Sequence, residues 1–164
     1  YHISFLVKEN VKALALNQGA ENKYLNALFK GIGYFTLENQ NLSQIQFQKF
    51  KDYDLIILND IRSISSGLSQ ELIKYIETGG KALVMPAVDA DITTYNSFLN
   101  NCGASPLNKF EKTEKIVSEI NTRDFVFSDV YESINANLRL PATKANYSVI
   151  KSGISQNSAH HSFN

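Results

Sequence analysis

Eight residues, Tyr53-Asp54-Leu55-Ile56-Ile57-Leu58-Asn59-Asp60, do most to limit the folds open to this chain. Their apolar centre is unbroken rather than alternating. That pattern suits a strand covered on both faces, and such strands belong to parallel sheets sandwiched between helices. The next thirty residues agree with it. A Ser/Gly-rich turn, Ser63 to Gly67, leads into a helical pattern with Leu68, Leu72, Ile73 and Ile76 facing inward. Gly79-Gly80 can supply a left-handed C-terminal cap, and Lys81 to Met85 reads as a second buried strand.

The same alternation extends in both directions. Val11 to Leu16 is a short apolar run ending in Asn17-Gln18-Gly19, and the next segment places Tyr24, Leu25, Leu28 and Phe29 on one helical face. Gly31 and Gly33 close that helix, and Tyr34 to Leu37 forms a strand of aromatic and β-branched character. Asp91 is suited to cap a helix carrying Ile92, Tyr95, Phe98 and Leu99, which Cys102-Gly103 ends. Repeated β-α units imply a three-layer α/β/α architecture with a mainly parallel, flavodoxin-like sheet and right-handed crossovers.

The flanks are less regular. Tyr1 to Lys8 alternates Ile3, Phe5 and Val7, so residues 1–10 read as the end of a preceding β segment or as an edge strand. Residues 11–150 form the α/β domain, with short strands expected at Lys115 to Ile120, Phe125 to Phe127 and Tyr147 to Ile150. Residues 151–164 are polar and aperiodic and read as a tail. The chain starts at Tyr1 rather than Met, which suggests a piece excised from something longer.

Composition removes several classes of function. Sixteen basic and sixteen acidic residues cancel, leaving no excess charge to attract nucleic acid or an anionic membrane. No apolar run approaches the roughly 20 residues of a membrane span, and Tyr1 to Asn10 lacks the features of a signal peptide. The single cysteine, Cys102, excludes an internal disulfide.

Parallel sheets bind ligands at the carboxyl ends of their strands. The residues expected there are Gln18, Glu21, Asp60, Arg62, Asp89 and Asp91. Asp60, Asp89 and Asp91 have the oxygen chemistry for a hard cation such as Mg²⁺, but turns and helix caps use the same residues, and that structural reading is favoured. No cofactor is implied. Asn17-Gln18-Gly19-Ala20 has neither the glycines nor the lysine of a phosphate loop, and Gly31-Ile32-Gly33 lies at a helix end. Cys102 is expected at a helix C-terminus, where nothing stabilises a thiolate. His2, His160 and His161 lie at the chain ends, where a catalytic imidazole would be hard to hold in position, and the adjacent pair has no spaced partner for zinc.

With these residues in view, Tyr53 to Asp60, Ser65 to Leu72 and Thr78 to Pro86 resemble the class I glutamine amidotransferase-like fold. More narrowly, the chain looks like large Bacteroidetes membrane proteins with a BatA-type aerotolerance-regulator N-terminus. Tyr1 to Lys8, Glu21 to Leu25, Asp91 to Leu99 and Leu138 to Pro141 share in that likeness, which spans roughly residues 1–150. The resemblance implies an extracytoplasmic, periplasmic domain anchored by membrane segments outside this stretch. Catalytic members carry a nucleophilic cysteine on the elbow after the strand matching Lys81 to Met85. Here the elbow reads Pro86-Ala87-Val88-Asp89-Ala90. The expectation is a non-catalytic interaction or scaffold domain that binds a protein partner or neighbouring domains. The alternative is a divergent hydrolase, or a small-ligand or metal-binding domain, acting at the rim of the sheet.

Overall fold

A computed structural model describes residues 10–116, 140 and 142–150 of the chain. It divides into two compact units, one running up to Pro106 and one from Leu107 to Ile150.

The first unit is built on four parallel strands: β1 (Val11–Asn17), β2 (Phe35–Asn41), β3 (Leu55–Ile61) and β4 (Lys81–Pro86), in the order β2-β1-β3-β4. Helices α1 (Lys23–Gly31), α2 (Ser66–Glu77) and α3 (Ile92–Asn101) flank it. The connection from β1 to β2 moves one way across the sheet and that from β3 to β4 moves the other. Right-handed crossovers therefore put α1 and α2 on opposite faces. The α/β class and the parallel sheet are as the sequence predicts.

Side chains alternate between the two faces along each strand. On the α1 face, Ala13, Ala15 and Ile57 pack with Leu25 and Phe29, and Phe35, Leu37, Leu55 and Met85 close around them. Phe29 meets Phe35 edge to face, with ring centres 5.5 Å apart. The intervening residues Leu14, Leu16, Ile56 and Leu58 are fully buried on the other face, as are Leu68 and Leu72 of α2 and Tyr95 and Phe98 of α3.

Three expectations are corrected. Tyr24 and Leu28 do not share the buried face of α1; they are 74% and 56% exposed, and only Leu25 and Phe29 go inward. A nine-residue helix crossing a sheet buries a stripe one or two residues wide, so the second apolar pair is left outside. On α2, Ile73 and Ile76 are half-buried, and Tyr75 completes the inward stripe with Leu68 and Leu72. β4 is less buried than expected. Among the described strands it pairs only with β3, and Leu83 is 44% exposed.

Asp91 and Gly79 cap their helices as expected, and Asn22 and Ser65 serve as further N-caps. Asn22, Ser65 and Asp91 accept backbone N–H bonds at the starts of α1, α2 and α3. Gly79 after α2 takes φ +96°, the left-handed conformation that favours glycine.

In the second unit, β5 (Leu107–Glu111) pairs antiparallel with β8 (Asn146–Val149), and β6 (Lys115–Ile116) with β7 (Ala142–Thr143). The Phe110 and Tyr147 rings pack 5.0 Å apart. The expected strand at Tyr147 to Ile150 is found one residue earlier, and the one at Lys115 begins in place. Phe125 to Phe127, Tyr1 to Lys8 and residues 151–164 lie outside the described residues.

Candidate functional site

On the α1 face, three neighbouring strands carry the same motif. β1 reads Ala13-x-Ala15-x-Asn17, β2 Phe35-x-Leu37-x-Asn39 and β3 Leu55-x-Ile57-x-Asn59. On β1 and β3 two apolar layers are capped by the Asn17–Asn59 pair, and on β2 Asn39 lies one layer lower, level with Ala15, within reach of Asn17. β1 and β3 flank the point where strand order reverses, where open α/β sheets leave a crevice. Asn17 and Asn59 are register partners at that point, 2% and 4% exposed. Amides this buried require partners.

They find them in one another. Asn22 Nδ2 donates to Asn59 Oδ1 at 3.0 Å, and Asn59 Nδ2 donates to Asn17 Oδ1 at 2.7 Å. Asn17 Nδ2 donates to Asn39 Oδ1 at 3.0 Å and also to the Ala15 carbonyl at 3.2 Å. Asn39 Nδ2 donates to Asn26 Oδ1 at 2.8 Å, and Asn26 Nδ2 donates to the Glu21 carboxylate at 3.0 Å. The chain of bonds leaves the first turn of α1 at Asn22, crosses β3, β1 and β2, and returns to the same helix at Asn26. It straps the N-terminus of α1 over the strand ends. None of these five asparagines was foreseen as a site residue, since each alone resembles turn or cap chemistry. The detectable signal was the threefold repeat of apolar-x-apolar-x-Asn.

Beside the strap lies a cavity of about 470 Å³, lined by Ala20 to Tyr24, Asn59, Asp60, Met85 and Pro86. Two of the expected residues, Glu21 and Asp60, are on its wall. Asp60 is the extra residue where the β3–β4 register shifts between Asn59 and Ile61, and it holds φ +54°. Among the described residues no other non-glycine has positive φ. Aspartate tolerates this conformation better than most residues. The Lys23 ammonium sits 5.0 Å from the centre of the Tyr24 ring.

The other four expected residues meet at the next loops. Gln18 Oε1 accepts the Arg62 backbone N–H at 2.7 Å, and the Arg62 carbonyl accepts the Asp91 N–H at 2.7 Å. Arg62 Nε lies 3.1 Å from Asp89 Oδ2. Arg62 thus ties together the loops after β1, β3 and β4. Its ion pair is exposed and adds little, so the backbone bonds carry the junction. Asp91 is spent on capping α3 through the Thr93 N–H at 3.0 Å. Among the described residues no group of three or more His, Cys, Asp or Glu side chains is arranged to hold a metal ion.

After β4 the chain runs Pro86-Ala87-Val88-Asp89-Ala90 into the cap of α3. Ala87 is buried and its N–H reaches the Ile61 carbonyl at 3.2 Å. No residue of this turn has the positive φ of a strained nucleophile elbow, and none carries a thiol. Cys102 lies instead at the C-terminal cap of α3, about 15 Å of helix away from the rim. Burial, with a smaller contribution from the Glu77 charge, pushes its thiol up from the ordinary value, which disfavours the thiolate.

No family model and no curated protein matches the sequence. Among solved structures, the chain is similar to the 2.30 Å crystal structure of a protein described as ThuA-like from Bacteroides uniformis ATCC 8492, with TM-score 0.58 and 19% sequence identity. The match covers 91% of this chain and 64% of that one, so this chain spans less than two thirds of its neighbour's length. At that identity the likeness shows the fold alone: the α/β sheet of the class I glutamine amidotransferase-like architecture.

Proposed function

We propose that the chain is a non-catalytic interaction or scaffold module, the extracytoplasmic part of a membrane-anchored protein of the BatA-type kind, which binds a protein partner or a neighbouring domain. The observation that carries this reading is the turn after β4. Where the fold would hold its nucleophile, Pro86 to Ala90 offers no thiol, no hydroxyl and no strained residue. The asparagine side chains at the strand ends are engaged with one another, as expected of a rim that serves as structure. No described helix is long and apolar enough to cross a membrane, so anchoring would fall to segments outside this stretch.

Two experiments test the reading. Purified protein incubated with glutamine releases no more ammonia than its heat-denatured control; a saturable release abolished in Asp60→Asn would overturn the non-catalytic assignment. The full-length protein, probed in spheroplasts, partitions with the membrane and loses this domain to added protease. Recovery in the soluble cytoplasmic fraction would sink the anchored reading.

A second reading is favoured by the cavity beside Asp60 and Glu21: a divergent hydrolase or small-ligand domain working at the rim. A ligand that binds only the native state raises the melting temperature as its concentration rises. No such rise across a panel of amines, carboxylates and polyols would leave the interaction module standing.

A further inference from the structure

The asparagine strap has a direction, and the direction is fixed at three places. At one end Asn22 Oδ1 accepts the N–H groups of Tyr24 and Leu25, so its amide nitrogen must face Asn59. In the middle the Ala15 carbonyl can only accept, which fixes the Asn17 amide nitrogen on the side of Ala15 and Asn39. At the other end the Glu21 carboxylate can only accept, so the Asn26 nitrogen turns to it and the Asn26 oxygen faces Asn39. An amide has a donor end and an acceptor end. Each of the five must therefore point the same way for every bond to form, and the three anchors agree.

We infer that Glu21 is the positioning residue of this rim: its carboxylate turns the Asn26 oxygen to the Asn39 nitrogen, and so closes the β2 side of the strap that holds the cavity-lining turn of α1 in place. This role stands apart from the non-catalytic reading and would hold in an enzyme as well. The Ala15 anchor turns the Asn39 oxygen to Asn17, so the Asn39 nitrogen needs an acceptor at Asn26, and the Asn26 amide is the one left for Glu21 to set. Glu21 thus governs two links and no more. Without an acceptor at position 21 the half-buried Asn26 is free to turn, and a turned Asn26 sets its nitrogen against the Asn39 nitrogen.

The test compares Glu21→Gln with Glu21→Lys by NMR of the side-chain amide groups in the whole chain. Glutamine keeps an acceptor without the charge, so all five asparagine signals stay in place. Lysine offers only donors, so the Asn26 and Asn39 signals move and their hydrogens exchange faster, while those of Asn22 and Asn59 do not change. Asn26→Ala, which removes the link and keeps the carboxylate, moves the Asn39 signal as Glu21→Lys does. Residue 21 is exposed, so these chains are expected to fold. Equal disturbance of Asn39 by glutamine and lysine would assign the effect to charge and overturn the inference. So would an Asn39 signal that ignores Glu21→Lys.

Discussion

Replacing Asn59 with alanine removes the one residue that bonds both to the buried centre of the strap and to the α1 cap. Two hydrogen bonds are lost, at 2.7 Å to Asn17 and 3.0 Å to Asn22. The losses are unequal. Asn22 is partly exposed and can turn its free N–H to water, so that bond is worth about 1 kcal/mol. Asn17 is 2% exposed, and its oxygen is stranded without a donor, which costs about 1–3 kcal/mol. The sum is a destabilisation of about 2–4 kcal/mol. It should be read as a lower urea midpoint at unchanged slope. Asn59→Leu, which refills the volume, should cost nearly as much, because the loss comes from the orphaned amide rather than the space. In the double variant with Asn17→Ala no acceptor is stranded at this junction, so its cost should fall short of the sum of the singles by about 1 kcal/mol or more. A single-site cost below about 0.5 kcal/mol, or strict additivity, would refute the view that these amides satisfy one another.

Other sites give independent checks. A Cβ on Gly80 would run into the Tyr75 ring, which is held by bonds from its hydroxyl to the Tyr53 carbonyl and from the Lys81 N–H to its oxygen. Gly80→Ala should therefore cost about 1–3 kcal/mol in urea unfolding, and a neutral result would refute the packing. Asp60→Gly relieves a left-handed residue and should stabilise by about 0.5–1 kcal/mol; a loss of stability would show that the carboxylate is held by a further partner. The Tyr53 hydroxyl is pushed up to about 12, by burial first, then by its 2.7 Å bond to Glu38 and by the Glu38 and Asp52 charges. A phenol whose folded value lies above its unfolded value keeps its proton longer when folded. Its contribution is therefore complete below pH 10 and lost as pH rises from about 10 to 12. Urea midpoints across that range should fall less steeply in Tyr53→Phe than in the parent, with Tyr75, also raised by burial, supplying part of the remaining slope. Identical slopes would be the contrary result.

The fold was legible because burial writes itself plainly into parallel strands: Leu55 to Leu58 could only be covered on both faces, and Gly79 could only follow a helix end. The strap was not legible residue by residue, because an asparagine at a strand end is ordinary loop chemistry. Its meaning lies in asparagines of three strands reaching one another on the same face, and that needs the register. Tyr24 and Leu28 were misplaced because helical spacing identifies an apolar stripe but not how wide a stripe the sheet can cover. β4 reads as buried from its composition, while its burial depends on which strands pair beside it. The left-handed backbone of Asp60 had no signal, since glycine is the residue that usually announces it.

The absence of a working nucleophile is tested most directly by the rate of Cys102 alkylation against pH on folded protein, since Cys102 is the single thiol of the chain. An apparent pKa at or above the free-thiol value of about 8.5, or no reaction before unfolding, is the expected result. A value well below about 7 would mean a stabilised thiolate at the far end of α3, and would contradict the reading of this domain as a module without a nucleophile.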